Sequence, residues 1–378
     1  MQFSLEEALS GELSSKSWSQ IQSRYTDFDG AAENEPKWSV QNSMQCYVQA
    51  QAVPDKTIAD CVEAIIGTYL INGGVPAGVK ILEWFKIIPA ADRLETLLRR
   101  RVSTVVTHKK ATVDEIDYLL NYVRSDIQEI LNYKFNDPAL LLEALSHPSY
   151  IRNRHTPSYE RLEFLGDAVL DFLITSHIFE NCRDFKPGEI TDLRSALVNN
   201  VTFAAYVVKL GLHKYICTQL NPQLADAILA FVEHQEQRDH EIVEDVLYLI
   251  EEEECQIAQY VEVPKTLSDI FESLTGAIYL DSGGCLETVW KVIYRIMHKE
   301  INNFSKRIPL QPVRVLSEMI YACPHFGNPI VTKTEIPKVM VPVTFTKEGR
   351  QHTVYGVGTN KYQAKRAASK LALKILAC

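Results

Sequence analysis

Apolar residues along this chain follow two periods, and the switch between them comes late. Within Tyr159–Asp171, Leu162, Leu165, Val169 and Leu170 recur at helical spacing and so line one face of an α-helix. The same period runs densely through 124–215. There Asn136-Asp137-Pro138 marks a stop and restart, with Pro138 suited to the first turn of a new helix. Helical spacing resumes over 264–304. Residues 55–88 read as helix, turn, helix, broken at Asn72-Gly73-Gly74. After a linker from Ile308 to Pro312 the period falls to two: Val339, Val341, Val343 and Phe345 alternate, and Thr353–Val357 is rich in β-formers. An amphipathic helix closes the chain over Lys361–Leu376. The expected fold class is mainly α: all-α domains followed by a small α+β domain of order α-β-β-β-α.

Segments without a periodic face set the boundaries. Residues 1–40 form a polar leader. Residues 41–92 and 124–304 are helical modules joined by a linker helix over 93–123, and 309–378 is the terminal domain. The linker carries Arg99-Arg100-Arg101, a run that suits a solvated surface or a contact with RNA. Residues 233–262 hold eleven acids and only Arg238 as a base. This predicts a solvated helix or a disordered insert; a metal site needs converging oxygens, which a linear tract does not supply.

The two helical modules are related. Residues 55–74 align with 264–283 at an offset of 209, with identities Lys56/Lys265, Thr57/Thr266, Asp60/Asp269, Glu63/Glu272, Gly67/Gly276 and Gly74/Gly283. A period this long is a duplicated domain, not a solenoid.

Charge sharpens the division. The net charge of -9 excludes a protein that coats nucleic acid over its whole surface. Residues 309–378 nevertheless carry ten Lys and Arg against three acids, a net +7, so the rest of the chain is -16. Eight cysteines form no Cys-x-x-Cys pair, which points to reduced thiols in a cytoplasmic, or else nuclear, protein. No apolar run approaches the roughly 18–20 residues of a membrane span, so no membrane association is expected.

The candidate chemistry lies in carboxylates. Glu163 and Asp167 are four residues apart, and Asp269 and Glu272 three apart on a second predicted helix. Like charges at these spacings are mildly destabilising unless a divalent cation neutralises them. Mg²⁺ takes oxygen ligands, and an ion pair held by four carboxylates can drive in-line phosphodiester displacement with no Ser, Cys or His nucleophile. For Glu163 and Asp167 alone, capping or pairing with Arg161 and Arg194 is the competing account. Lys265 stands one turn before Asp269, at the spacing of an i,i+4 ion pair with that carboxylate.

Glu160-Arg-Leu-Glu-Phe-Leu-Gly-Asp167 resembles the signature helix of the ribonuclease III family. Leu140–Tyr150 is similar to that family's opening helix and turn, and Thr191–Asn200 to its next helix. Two such modules before a basic domain resemble the C-terminal end of the family's Dicer branch. The resemblance implies cleavage of double-stranded RNA to 5′-phosphate and 3′-hydroxyl ends for small-RNA production and silencing. It implies Mg²⁺, with Mn²⁺ as substitute, held by Glu163, Asp167, Asp269 and Glu272, and Lys265 beside them. Lys56, Asp60 and Glu63 match an incomplete first site, because residues 1–54 hold no counterpart of the signature helix. Either that site is inactive alone or the chain is part of a longer product. Nuclease domains pair in this family, which implies intramolecular pairing or a homodimer through 124–303. A double-stranded-RNA-binding protein is a further implied partner. The alternative is a truncated, noncatalytic module that binds RNA or a partner.

The terminal α-β-β-β-α domain resembles a double-stranded-RNA-binding domain, a reader of A-form shape. Lys361, Lys365 and Arg366, at the start of its last helix, are the phosphate candidates. Lys361-Tyr362 replaces the paired lysines usual there, and Glu335–Lys338 is short for the loop it matches.

Overall fold

The computed structural model describes residues 55–88, 103–121, 123–219, 221–242, 249–252, 256–333 and 337–377. The polar leader, the run Arg99–Arg101 and Glu335–Ile336 lie outside the described residues. The chain divides into two units, Met1–Arg100 and Arg101–Cys378.

The first unit contains helix α1, Asp55–Trp84, interrupted by Gly74 at φ 68 and ψ -170, with Pro76 just beyond. This is the break that Asn72-Gly73-Gly74 predicts. Gly283, its counterpart in the repeat, also has a positive φ, 74°, a region that glycine enters without strain. By length and mean hydropathy, 1.3 over 18 residues, α1 is the one described helix able to cross a membrane. No unbroken apolar run marks it in the sequence, because Gly, Thr and Asn interrupt the run while costing little in an average. Ile58 and Ile65 are exposed, whereas their counterparts Leu267 and Leu274 are buried in the second unit.

The second unit begins its core earlier than the boundary at 124. Thr112 and Glu115 form a capping box at the start of α2, Val113–Leu120, whose Ile116 and Leu120 are buried. That i,i+4 pair makes the helix part of the domain, and it corrects the expectation of a linker helix over 93–123. There follow α3 (Val123–Leu131), α4 (Pro138–Leu145), α5 (Glu160–Asn181), α6 (Pro187–Leu197), α7 (Asn200–Lys209) and α8 (Pro222–Glu236). Asp137 caps α4, accepting from the Ala139 N–H.

The acidic insert is not wholly solvated. Helix α8 reaches into it. Beyond come strands β1 (Leu249–Glu252) and β2 (Ile257–Tyr260), an antiparallel hairpin. A count of charges hides the alternation in Ile257-Ala-Gln-Tyr260, whose second and fourth residues are buried.

Helix α9, Lys265–Asp281, is the centre of the domain: every residue from Thr266 to Ile278 is buried. Its Phe271 stacks on Phe203 and Tyr206 of α7 at 5.1 and 5.7 Å. At its end, Asp281 accepts from the Tyr133 hydroxyl at 2.7 Å and from the Asn136 and Asp137 N–H groups at 2.9 Å. Helix α10, Leu286–Lys306, closes the layer.

The terminal domain has the predicted order with one change. Helix α11 (Pro312–Glu318) precedes not one first strand but two short ones, β3 (His325–Phe326) and β4 (Ile330–Val331). Both pair antiparallel with β5, Val339–Lys347. Gly327-Asn-Pro329 separates them, and proline cannot donate to a ladder. Strand β6, Arg350–Gly358, returns through Glu348-Gly349, both at positive φ, a two-residue hairpin. Helix α12, Lys361–Ala377, covers the sheet. Strand β2 then adds parallel to β6, with Ala258 opposite Gly356. The sheet therefore runs β1-β2-β6-β5-β3, crossing the boundary between helical and terminal domains.

Candidate active site

Two glycines bring the acidic helices together. A Cβ on Gly166 of α5 would lie 1.8 Å from the Glu272 carbonyl oxygen, and one on Gly276 of α9 would lie 2.3 Å from that of Leu162. Only hydrogen fits at either position, so the backbones approach to a distance side chains would forbid. Gly166 sits between Glu163 and Asp167, and Gly276 one turn beyond Glu272. The crossing point is thus flanked by the carboxylates.

Carboxylate oxygens of Glu163, Asp269 and Glu272 all lie within 4.8 Å of one another, with Asp269 and Glu272 only 6% and 4% exposed. Lys265 donates to Glu163 Oε1 and Asp269 Oδ1, both at 2.6 Å. The buried Tyr159 hydroxyl donates to Asp269 Oδ2 at 3.2 Å. Glu272 receives no side-chain hydrogen bond from the described residues. Burial first, and then the charges of Asp167, Asp269 and Glu163, push its carboxyl up to about 8. Burial also raises Asp269 against the opposing pull of Lys265. Burial alone would lower the Lys265 ammonium, yet its bonds to Asp269 and Glu163 hold it above its usual range.

Asp167 stands apart from this trio. It is exposed at the rim, one turn along α5. Its carboxyl is raised by partial burial, then by Asp171 and Glu163, and it is felt by Glu272 chiefly as charge. Arg194, a partner considered for the acidic pair, instead binds Asp171 at 3.0 Å. Glu160 accepts from Ser158 at 2.7 Å, and the His147 ring bonds Ser149 within its own turn.

Three hard oxygen donors around one point, one of them a buried carboxyl without a donor, suit a divalent cation with oxygen ligands. No other group of three such residues is found among the described ones. In the first unit, Lys56 pairs with Asp60 at 2.8 Å, repeating the Lys265–Asp269 pair. Asp60 and Glu63 are exposed, with no third carboxylate converging on them among the described residues.

The three basic residues of α12 diverge. Lys361 is exposed. Lys365 places its Nζ 4.0 Å from the Phe326 ring centroid, a cation–π contact. Arg366 turns toward the helical domain, lining a cleft with Tyr260 and Asn199. Two further contacts have no local sequence signal: that of Tyr159 with Asp269, and the ion pair of Arg314 with Asp192, two bonds at 2.8 and 2.5 Å. No spacing rule marks either, since their partners lie over a hundred residues away.

Residues 160–283 match the ribonuclease III domain family, and residues 289–378 match the Dicer dsRNA-binding domain. Residues 160–283 are thus a ribonuclease III domain. It is 40% identical over 365 residues to the endoribonuclease Dcr-1 of Drosophila melanogaster, covering 89% of this chain and 16% of that one. It is also 40% identical over 340 residues to the endoribonuclease Dicer of Danio rerio, covering 86% and 18%. The chain thus spans under a fifth of the length of these relatives and corresponds to their C-terminal region. Among solved structures, the ribonuclease III nuclease domain of Campylobacter jejuni aligns at TM-score 0.32 and 28% identity, over 46% of this chain and 95% of that one.

Proposed function

We propose that this ribonuclease III chain hydrolyses double-stranded RNA, the Dicer-type reaction that yields small RNAs. The observation that carries the reading is the convergence of Glu163, Asp269 and Glu272 from two helices, with Lys265 beside them. Mg²⁺, or Mn²⁺ in its place, would be held by those three carboxylates together with Asp167. When bound, it supplies the Lewis acidity and activated water of phosphodiester hydrolysis. The chain's own part is to orient and to exclude water. Tyr159 and Lys265 fix Asp269 from two sides, and the α9 core shields Asp269 and Glu272. The Lys265 ammonium stays charged and stabilises negative charge on the phosphate oxygens. In-line attack by water leaves a 5′-phosphate and a 3′-hydroxyl, and four carboxylates suffice for two ions.

Cutting both strands requires paired domains. Helix α5 presents Phe164, 82% exposed, with Phe172 and Phe179 also open to solvent. We assign this apolar face to pairing, with a second copy or with the first unit. Duplex RNA labelled on either strand and incubated with Mg²⁺ should show paired cuts at protein concentrations where sedimentation detects a dimer. Phe164→Asp should leave single-strand nicks or no cleavage. Absence of any cut by the wild type would favour the noncatalytic reading, to which the open Asp60 and Glu63 lend support. Cytoplasmic or nuclear residence, and a double-stranded-RNA-binding protein as partner, belong to the same proposal.

The terminal domain would grip the duplex through Lys361 and Lys365. Replacing both with Ala should weaken RNA binding and reduce the slope of log affinity against log salt by about 2. Arg366→Ala should leave that slope unchanged, because its side chain faces the cleft. An equal loss of slope for Arg366→Ala would show that this face also meets phosphate.

A further inference from the structure

We propose that residues 256–260 of the acidic insert are a positioning strap. They fix the terminal domain to the nuclease domain, and so set which phosphodiester of a bound duplex reaches the carboxylate cluster. The inference rests on the function proposed above for its second half only.

Three ties join the domains, and they come from separate parts of the sequence. One is the covalent linker at 307–311. The second is the strap. Strand β2 pairs in parallel with β6 over Ile257↔Tyr355 to Gln259↔Val357, and the Tyr355 N–H donates to the Gln256 carbonyl at 3.0 Å. Ala258 and Tyr260, 0% and 6% exposed, enter the terminal domain's core beside Leu316, Val343, Phe345 and Val354. A separately tethered domain would have no need of core residues from its neighbour. The third tie is Arg314 of α11, bonded through two nitrogens to Asp192 of α6, which is itself buried.

A single short linker would let the terminal domain swing. The paired strand and the ion pair add two attachment points to the linker and so restrict that freedom. Between them lies a cleft of about 470 Å³ lined by Asn199, Asn200, Tyr260, Gln363 and Arg366. Among the described residues the buried apolar side chains form two separate clusters, one in each domain's core, so orientation depends on the ties. The strap also covers β6, which would otherwise be an open sheet edge. Lys361 and Lys365 then stand at a set distance from Glu163, Asp269 and Glu272. A rigid duplex held at one end of that distance offers a set phosphodiester at the other.

The test uses the full chain and two readouts, amide exchange and the distribution of cuts on an end-labelled duplex with Mg²⁺. In the wild type the Tyr355 amide should be protected, and cuts should fall in narrow positions. In Ala258→Pro that amide should exchange at least tenfold faster while Val341 and Val343 stay protected. Cuts should spread to neighbouring positions, with KM raised and kcat within about threefold. Should Ala258→Pro unfold the terminal domain, as loss of protection at Val343 would reveal, the ion pair decides. Arg314→Asp should scatter the cuts, and adding Asp192→Arg should restore them. Free exchange at Tyr355 in the wild type overturns the strap. So does an unchanged cut pattern in a variant whose Tyr355 amide has become exposed, or failure of the charge exchange to rescue. If the wild type does not cleave, the nuclease reading fails, yet exchange at Tyr355 still decides whether the domains are strapped.

Discussion

Glu272→Gln is expected to abolish cleavage and, in the same molecule, to stabilise the cation-free protein. Glu272 is buried, receives no side-chain hydrogen bond among the described residues, and has three other carboxylates in its surroundings. Its carboxyl stands at about 8 in the folded state against 4.5 ordinarily. Across that window the folded chain binds the proton that the unfolded chain has already released. Stability therefore falls as pH rises from about 4.5 to 8, and the cost is complete above the higher value. Glutamine keeps the shape without the charge. At pH 8 in EDTA, urea unfolding of Glu272→Gln should show a gain on the order of 2 kcal/mol, discounted for relaxation around the site. The gain should fade toward pH 5. With Mg²⁺ and duplex RNA the same variant should lose about 10³-fold or more in kcat/KM, roughly 4 kcal/mol of transition-state stabilisation. Cleavage within tenfold of wild type would show that Glu272 is not needed to hold the cation.

Gly166→Ala should be nearly as damaging, by a different route. The added methyl would sit 1.8 Å from the Glu272 carbonyl oxygen and 2.9 Å from the Gly276 nitrogen. Both neighbours are backbone of a helix packed on several sides, so neither can turn away. Helices α5 and α9 must separate, which costs about 3 kcal/mol or more of overpacking. A fall in Tm on the order of 10 °C should follow for a unit of this size. Cleavage should drop further than stability explains, since separation pulls Glu163 from Asp269 and Glu272. Gly188→Ala is the control: a Cβ there meets nothing within 4 Å, and melting should scarcely move. An unchanged melting curve for Gly166→Ala would mean that the helices have room to spare.

Much of this site was legible because its signals are local. Glu163 with Asp167, and Asp269 with Glu272, are pairs spaced by one helical turn, and the repeat at offset 209 set Lys265 and Gly276 beside Lys56 and Gly67. The structure supports the second acidic pair and Glu163 as one cluster, and sets Asp167 at its rim. Contacts between residues far apart in the chain leave no such signal. Tyr159 reaches Asp269 across 110 positions, and Arg314 reaches Asp192 across 122. In the acidic insert, the alternation of a four-residue strand is diluted by the charges of the thirty residues around it. In the expected linker, the i,i+4 pair Ile116 and Leu120 is the short local signal of a buried helix face.

Read alone, the amino-acid order determined the helical class, the late change to strands, the duplication and the identity of the four acids. Each of these is written in spacing, and spacing maps directly onto a helix face or a strand pleat. Only the tertiary structure decided which three carboxylates meet, how close two glycines let their helices come, and that a strand from one domain completes the sheet of the next. Those outcomes follow from packing and exclusion between segments far apart in the chain, where no periodicity carries information from one partner to the other.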